Sequence, residues 1–205
     1  MNNIIYFDGP HGAGKTTLIQ KLKESDPAKV ILAQKLPITK IEDPLKRSIL
    51  RLARHLLHLE SNKQLAKENK DKIILVDRSG LDVYTYPKAF LNLKWISKEE
   101  YLKHIELNNI LLKDHFPLKN LVIVNPKLNE LLKNIEKRWE NKKKWREENL
   151  EYLKETNKAY SEIAKQHPCL ILDSNNLEIN LKILQTWIDE NIITKNNKTL
   201  TQIIK

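Results

Sequence analysis

The chain has 205 residues, enough for one domain with a full core around a central sheet, and no apolar run long enough to span a bilayer. Its formal net charge of +10 calls for polyanionic ligands; nucleotides, nucleic acid and anionic lipid all qualify, as does a plain Lys- and Asn-rich surface. The single cysteine, Cys169, has no internal disulfide partner, and a cleaved leader would carry away the loop that follows residue 8, so a cytoplasmic protein is expected.

Five short, β-branched, non-alternating apolar runs, at 4–7, 30–33, 73–76, 121–124 and 170–172, have the pattern of strands covered on both faces. Helical periodicity fills 16–24, 44–67, 98–115, 128–139, 147–166 and 177–191. Ser97 followed by Lys98-Glu99-Glu100 starts a helix with a capping box. Pro87, Pro117 and Pro168 are expected in breaks between elements, and Trp95 and Trp187 in helical packing. Cys169, against the last strand, reads as a small buried hydrophobe. The alternation argues an α/β fold with a mainly parallel sheet, one domain over 1–191 and a loose tail over 192–205, which carries three lysines and no acid.

The segment after the first strand decides the chemistry. Gly9-Pro10-His11-Gly12-Ala13-Gly14-Lys15-Thr16 is GxxxxGK[ST] in its required strand–loop–helix setting, and three of the four glycines fall in it. Glycines at these positions let successive N–H groups of Gly9, Pro10-flanking His11, Gly12, Ala13, Gly14, Lys15, Thr16 and Thr17 turn toward phosphate oxygens. The helix N-terminus adds partial positive charge. Lys15 is placed to reach the β- and γ-phosphates of ATP, and the Thr16 hydroxyl to ligate Mg²⁺. The third strand ends in Asp77-Arg78-Ser79, an acid suited to the Mg²⁺ shell beside a cation suited to phosphoryl groups.

Phe7-Asp8-Gly9-Pro10-His11-Gly12-Ala13-Gly14-Lys15-Thr16-Thr17 and Asp77-Arg78-Ser79 resemble the thymidylate kinase and deoxynucleoside kinase branch of P-loop kinases. The resemblance covers residues 3 to about 173. It implies a three-layer α/β P-loop kinase fold, a five-stranded parallel sheet in the order 2-3-1-4-5, and a basic lid over 137–147. It also implies Tyr86 near a substrate base, and Arg138 as the lid arginine that neutralises the transferring phosphoryl group together with Lys15. Arg78 is implied to orient the acceptor. Relatives in this branch are often homodimers.

Three positions depart from the family pattern. Ala33-Gln34-Lys35 stands where deoxynucleoside kinases carry a catalytic Glu, His11 stands where thymidylate kinases carry Asp, and Asn134 replaces the first Arg of the lid pattern. A monophosphate acceptor needs less help from a base, because its phosphate is already an anionic nucleophile. The departure at Gln34 therefore favours a nucleoside monophosphate over a nucleoside.

Residues 35–58 hold six Lys/Arg and two acids. Arg47, Arg51, Arg54 and His58 follow one helix face, and Leu45, Ile49, Leu52, Leu56 and Leu59 are expected on the opposite, core-facing one. The cationic stripe reads either as an acceptor-phosphate grip, with Arg51 the residue of choice, or as a solvated face. Residues 137–146 read either as a lid, with Lys142 and Arg146 assisting Arg138, or as a helix end over packed tryptophans. His55 and His58, or His104 and His115, lack the companions of a zinc site.

A GTPase is disfavoured because Asn125-Pro126-Lys127 does not supply the guanine-reading N-K-x-D. A deoxynucleoside kinase remains the nearest alternative. A polynucleotide 5′-kinase, or a non-catalytic P-loop protein that binds nucleic acid through its basic surface, stands further off, and a steep salt dependence of nucleic-acid binding would mark either.

Overall fold

The structure is a computed structural model that describes residues 3–34, 41–116, 118–139 and 145–193. Five strands form one parallel sheet in the order β2-β3-β1-β4-β5, with β1 Ile4–Asp8, β2 Val30–Leu32, β3 Ile73–Asp77, β4 Leu121–Val124 and β5 Leu170–Leu172. This is the expected order. Seven α-helices accompany it among the described residues: α1 Lys15–Ser25, α2 Pro44–Glu68, α3 Asp82–Asn92, α4 Lys98–Leu112, α5 Leu128–Trp139, α6 Leu150–Ala164 and α7 Leu177–Ile188.

Alternate residues of β1 explain the three layers. Ile5 and Phe7 pack with Leu18, Leu22 and Leu184 from α1 and α7, while Ile4 and Tyr6 face Tyr86, Phe90, Tyr152 and Tyr160 from α3 and α6. Register then sets the functional edge. Phe7 pairs with Asp77, so the tips of β1 and β3 lie side by side, with Asp8 and Arg78 just beyond.

Helix α3 corrects the expected break at Pro87, which lies inside it. Proline cannot donate to the carbonyl four residues back, that of Val83. The Asn108 side chain from α4 donates to that carbonyl at 2.8 Å instead, so no buried acceptor is left over. Trp95 sits in the turn between α3 and α4 rather than in a helix, stacked on Phe90.

Helix α6 starts at Leu150, three residues later than expected, where the Asn149 side chain accepts from the N–H of Tyr152. The capping box of Ser97 and Glu100 opens α4 as expected. Ile49 departs from the expected core face of α2: Leu52 and Leu59 are buried, but 45% of Ile49 is exposed. Cys169 is half-buried against the core. Ile192, expected in the tail, is 1% exposed in a π-helical turn over Asp189–Ile193, so packing runs past residue 191. Residues 194–205 lie outside the described residues.

Candidate active site

The loop between β1 and α1 is built on left-handed glycines. Gly9, Gly12 and Gly14 have φ of 139°, 77° and 85°. At Gly9 a Cβ would lie 2.0 Å from the carbonyl oxygen of Val124, so β4 itself forbids a side chain. No side chain caps the start of α1, whose N-cap is Gly14, which leaves the helix's first N–H groups to the loop. Lys15 is buried and donates to the carbonyls of Gly9 and Pro10 at 2.8 and 2.7 Å, at the loop's centre. Thr16 Oγ1 donates to Asp77 Oδ2 at 2.9 Å, joining two hard oxygen donors from α1 and β3.

Asp8 organises the junction, and sequence reasoning gave it no role. Its Oδ1 accepts from Gly9 N at 2.9 Å, Tyr160 Oη at 2.7 Å and Arg78 Nη1 at 3.1 Å. Its Oδ2 accepts from Ser79 N at 3.1 Å and Ser79 Oγ at 2.6 Å. Burial opposes its ionisation, but the charge of Arg78 and the hydrogen bonds from Ser79 and Tyr160 outweigh it and hold the carboxyl below its ordinary value. The partners lie up to 152 residues away in sequence, so no local signal could have found them.

Arg78 has φ 104°, a conformation that costs a non-glycine residue on the order of 1–3 kcal/mol. Its N–H donates to Phe7 O at 2.9 Å while the next residue is pinned to Asp8, so the strain is held in place. The guanidinium then reaches Gly9 O at 2.8 Å and Tyr160 Oη at 3.1 Å, beside the phosphate loop.

A cleft opens next to this junction. Gln34 from beyond β2, Arg51, Arg54 and His58 from α2, and Asp77, Arg78 and Asp82 line it. Arg47, the first residue of the expected cationic stripe, is not among the lining residues. It donates to Ile41 O at 3.1 Å and stacks over Trp145 at 4.6 Å. Arg51 lies 4.0 Å from Asp82 and 3.7 Å above the ring of Tyr86. Tyr86, expected against a substrate base, is fully buried and forms the floor beneath Arg51. Asp82 was not anticipated; burial, then the neighbouring charge of Asp8, raises its pKa.

Helix α5 sits directly on the loop. Asn134, which replaces the family's arginine, donates to Gly12 O at 3.1 Å, and a Cβ at Gly12 would meet Ile135. Arg138 follows one turn later and pairs with Glu147, which is 1% exposed. Glu147 Oε1 also lies 3.3 Å from His11 Nδ1. Burial drives the pKa of His11 down to about 3 against the opposing hydrogen bond of Glu147. The middle of the expected lid, 140–144 with Lys142, lies outside the described residues. Arg146, at φ 53°, stacks on the rings of Trp95 and Trp145 at 4.4 and 4.9 Å.

The comparisons fit this geometry. A family profile described as an AAA domain matches residues 4–178. The chain is 30% identical over 188 aligned residues to a probable thymidylate kinase of Sulfurisphaera tokodaii, covering 85% of this chain and 88% of the relative. Two structures of deoxyadenosine kinase from M. mycoides, with bound dCTP and with bound dATP, superimpose with TM-scores of 0.70 and 0.69. Each covers 91% of this chain and 99% of its own, at 17% and 19% identity, and so shares the fold. Among the described residues no helix is long and apolar enough to cross a membrane.

Proposed function

This chain belongs to the AAA-domain family of P-loop proteins and is a nucleotide or nucleoside kinase, and from that premise we propose that it transfers a phosphoryl group from ATP to a nucleoside monophosphate, as a thymidylate-like kinase. The observation that carries this reading is the convergence of Arg51, Arg54 and Arg78 on one cleft beside the phosphate loop. Three guanidiniums suit an acceptor that brings its own phosphate, and Gln34 at the mouth of β2 is an amide that takes no proton from a sugar hydroxyl.

Lys15 and the loop N–H groups hold the phosphates of the donor. Arg78 orients the acceptor phosphate, with Arg51 gripping it from α2. Arg138 brings charge to the transferring group from the end of α5. Thr16 and Asp77 fit Mg²⁺ by their donor chemistry and would hold it, and the ion would supply charge neutralisation for the donor phosphates. Phosphoryl transfer asks for positioning and charge more than for covalent chemistry, and these side chains offer both.

A nucleoside acceptor is the second reading, favoured by Asp82. This carboxyl lies in the same cleft with its proton affinity raised, as a general base would need.

The test is ADP release from Mg²⁺–ATP against nucleosides, nucleoside monophosphates and a 5′-hydroxyl oligonucleotide. Turnover with dTMP or another monophosphate is expected. Turnover with nucleosides alone moves the acceptor to the second reading, and turnover with the oligonucleotide alone makes the protein an end-modifying kinase.

A further inference from the structure

Two buried histidines stand beside the turn that carries Arg78, and the mechanism above gives them no part. His55 of α2 is 6% exposed, and His115 follows α4. Their ring centroids lie 5.1 Å apart, and His115 meets Tyr6 of β1 edge-on at 5.6 Å. The two rings therefore link the sheet to α2.

Gly80 is the chain's only glycine outside the phosphate loop. Its φ is 89°, and a Cβ there would lie 2.1, 2.4 and 2.5 Å from Nε2, Cε1 and Cδ2 of His55. The far end of the imidazole thus presses on the Gly80 backbone. His115 acts one residue earlier. Its ring bonds the backbone of Ser79 in the sense that raises its proton affinity, so the ring donates and the carbonyl accepts.

Burial, then the neighbouring ring of His115, lowers the pKa of His55 to about 3, so the ring brings no charge to the cleft it helps to line. Its Nε2 is buried with no hydrogen-bond partner among the described residues. Leucine would serve core packing without leaving a polar atom unpaired. The imidazole supplies a thin planar edge that fits against a residue with no side chain.

Arg78 needs such support. It stands at φ 104° and Gly80 at 89°, two left-handed residues either side of Ser79. A strained residue persists only where its surroundings over-determine it. Asp8 grips Ser79 from the phosphate-loop side, and the histidines close the turn from the side of α2. We propose that His55, backed by His115, is a positioning residue for phosphoryl transfer: it walls the turn at Gly80 and so keeps Arg78 aimed at the phosphate loop. The inference rests on the role given above to Arg78 in orienting the acceptor. His55 acts through Arg78 rather than on the nucleotide, although its ring reaches the same cleft.

The experiment compares His55→Ala, which removes the wall, with His55→Gln, whose amide fills the space of the ring's far end. ADP release from Mg²⁺–ATP with dTMP is measured for each, alone and with Arg78→Ala, once urea unfolding shows the variant folded. His55→Ala is expected to lower kcat about 10–100-fold with the KM of ATP nearly unchanged, since a small misplacement of an orienting group suffices. His55→Gln restores most of it. Added to Arg78→Ala, His55→Ala costs nothing further, because both changes remove one interaction. A readout that needs no acceptor is the Nε–H resonance of Arg78, identified by its disappearance in Arg78→Ala. It is expected in wild type and His55→Gln and lost in His55→Ala, and it decides the matter if dTMP does not turn over.

A His55→Ala enzyme at full speed, or one that keeps that resonance unchanged, overturns the proposal. Losses that add in the double variant also overturn it, since His55 would then act on the acceptor itself. Unchanged turnover in Arg78→Ala removes the role of Arg78 and the histidine wall with it, whereas a slow Arg78→Ala beside a full-speed His55→Ala removes the wall alone. Should His55→Ala not fold, His115→Phe keeps the ring packing and removes the N–H to Ser79. It is expected to slow turnover severalfold, and full speed there overturns the proposal.

Discussion

The carboxylate of Asp8 accepts a hydrogen bond from the Tyr160 hydroxyl at 2.7 Å, which ties the tip of β1 to α6. The same carboxylate holds Arg78 and Ser79, so one buried acid fixes three elements at the edge where phosphate is handled. Asp8→Asn removes the charge that compensates Arg78. Breaking a buried pair costs about 3–5 kcal/mol, discounted here because 28% of the Arg78 side chain is exposed. A loss of about 2 kcal/mol in urea unfolding, together with at least a tenfold fall in kcat, is expected. An unchanged variant would remove Asp8 from the centre of the network.

Acid should act through the same residue. The folded-state pKa of Asp8 is depressed, so its contribution is fully present above the unfolded pKa near 4 and is lost as pH falls through the folded value. Unfolding measured from pH 5 downward is expected to show a component of acid destabilisation in wild type that is missing from Asp8→Asn.

A second pH dependence lies higher. His11 and His55 are buried, with pKa values lowered to about 3 chiefly by desolvation. Between that value and about 6.5 only the unfolded chain takes up these protons, so stability falls as pH drops through that window. The slope is about 1.4 kcal/mol per pH unit for each histidine. The midpoint of urea unfolding is expected to fall between pH 7 and pH 5.5, and the imidazole resonances of His11 not to titrate in that range. A titrating His11 would contradict its burial, which is what lowers its proton affinity against the opposing pull of Glu147.

Arg78→Ala is expected to lower kcat by about 10²–10⁴-fold with nucleotide affinity nearly intact, since it lines the cleft proposed for the acceptor. Unchanged turnover would sink the assignment. Lys15→Ala should abolish phosphoryl transfer while leaving any binding of nucleic acid untouched.

Glu147→Gln separates Arg138 and His11 from their common carboxylate. The expected result is a fall in kcat of about tenfold or more, with a loss of stability because a buried ion pair is broken, since a cation held loosely contributes less charge at the right place. Identical kinetics would detach Glu147 from the lid.

The sheet and the phosphate loop were legible because their signals are local. Strands covered on both faces are continuous apolar runs, and the loop needs its glycines within a few residues. Helix α3 was not legible, because Pro87 marks a break unless one knows that Asn108 serves the carbonyl of Val83. Nor was the burial of Tyr86 beneath Arg51, since sequence does not show which cation covers a ring. Ile49 keeps the same helical rhythm as Leu52 and Leu59 but is exposed, and periodicity does not tell the centre of an apolar face from its rim.

Trp145 is packed between the aromatic core and charged side chains. Its ring stands edge-on to Trp95 at 6.1 Å, its Nε1 donates to Glu42 at 3.1 Å, and Arg47 and Arg146 cover it. It lies two residues before Glu147, which reaches His11 of the phosphate loop. A cation over an indole changes its emission, so the protein carries an optical reporter close to that loop. Titrating ATP into a chain carrying Trp95→Phe, Trp139→Phe and Trp187→Phe leaves Trp145 as the sole emitter and tests whether the nucleotide changes its surroundings.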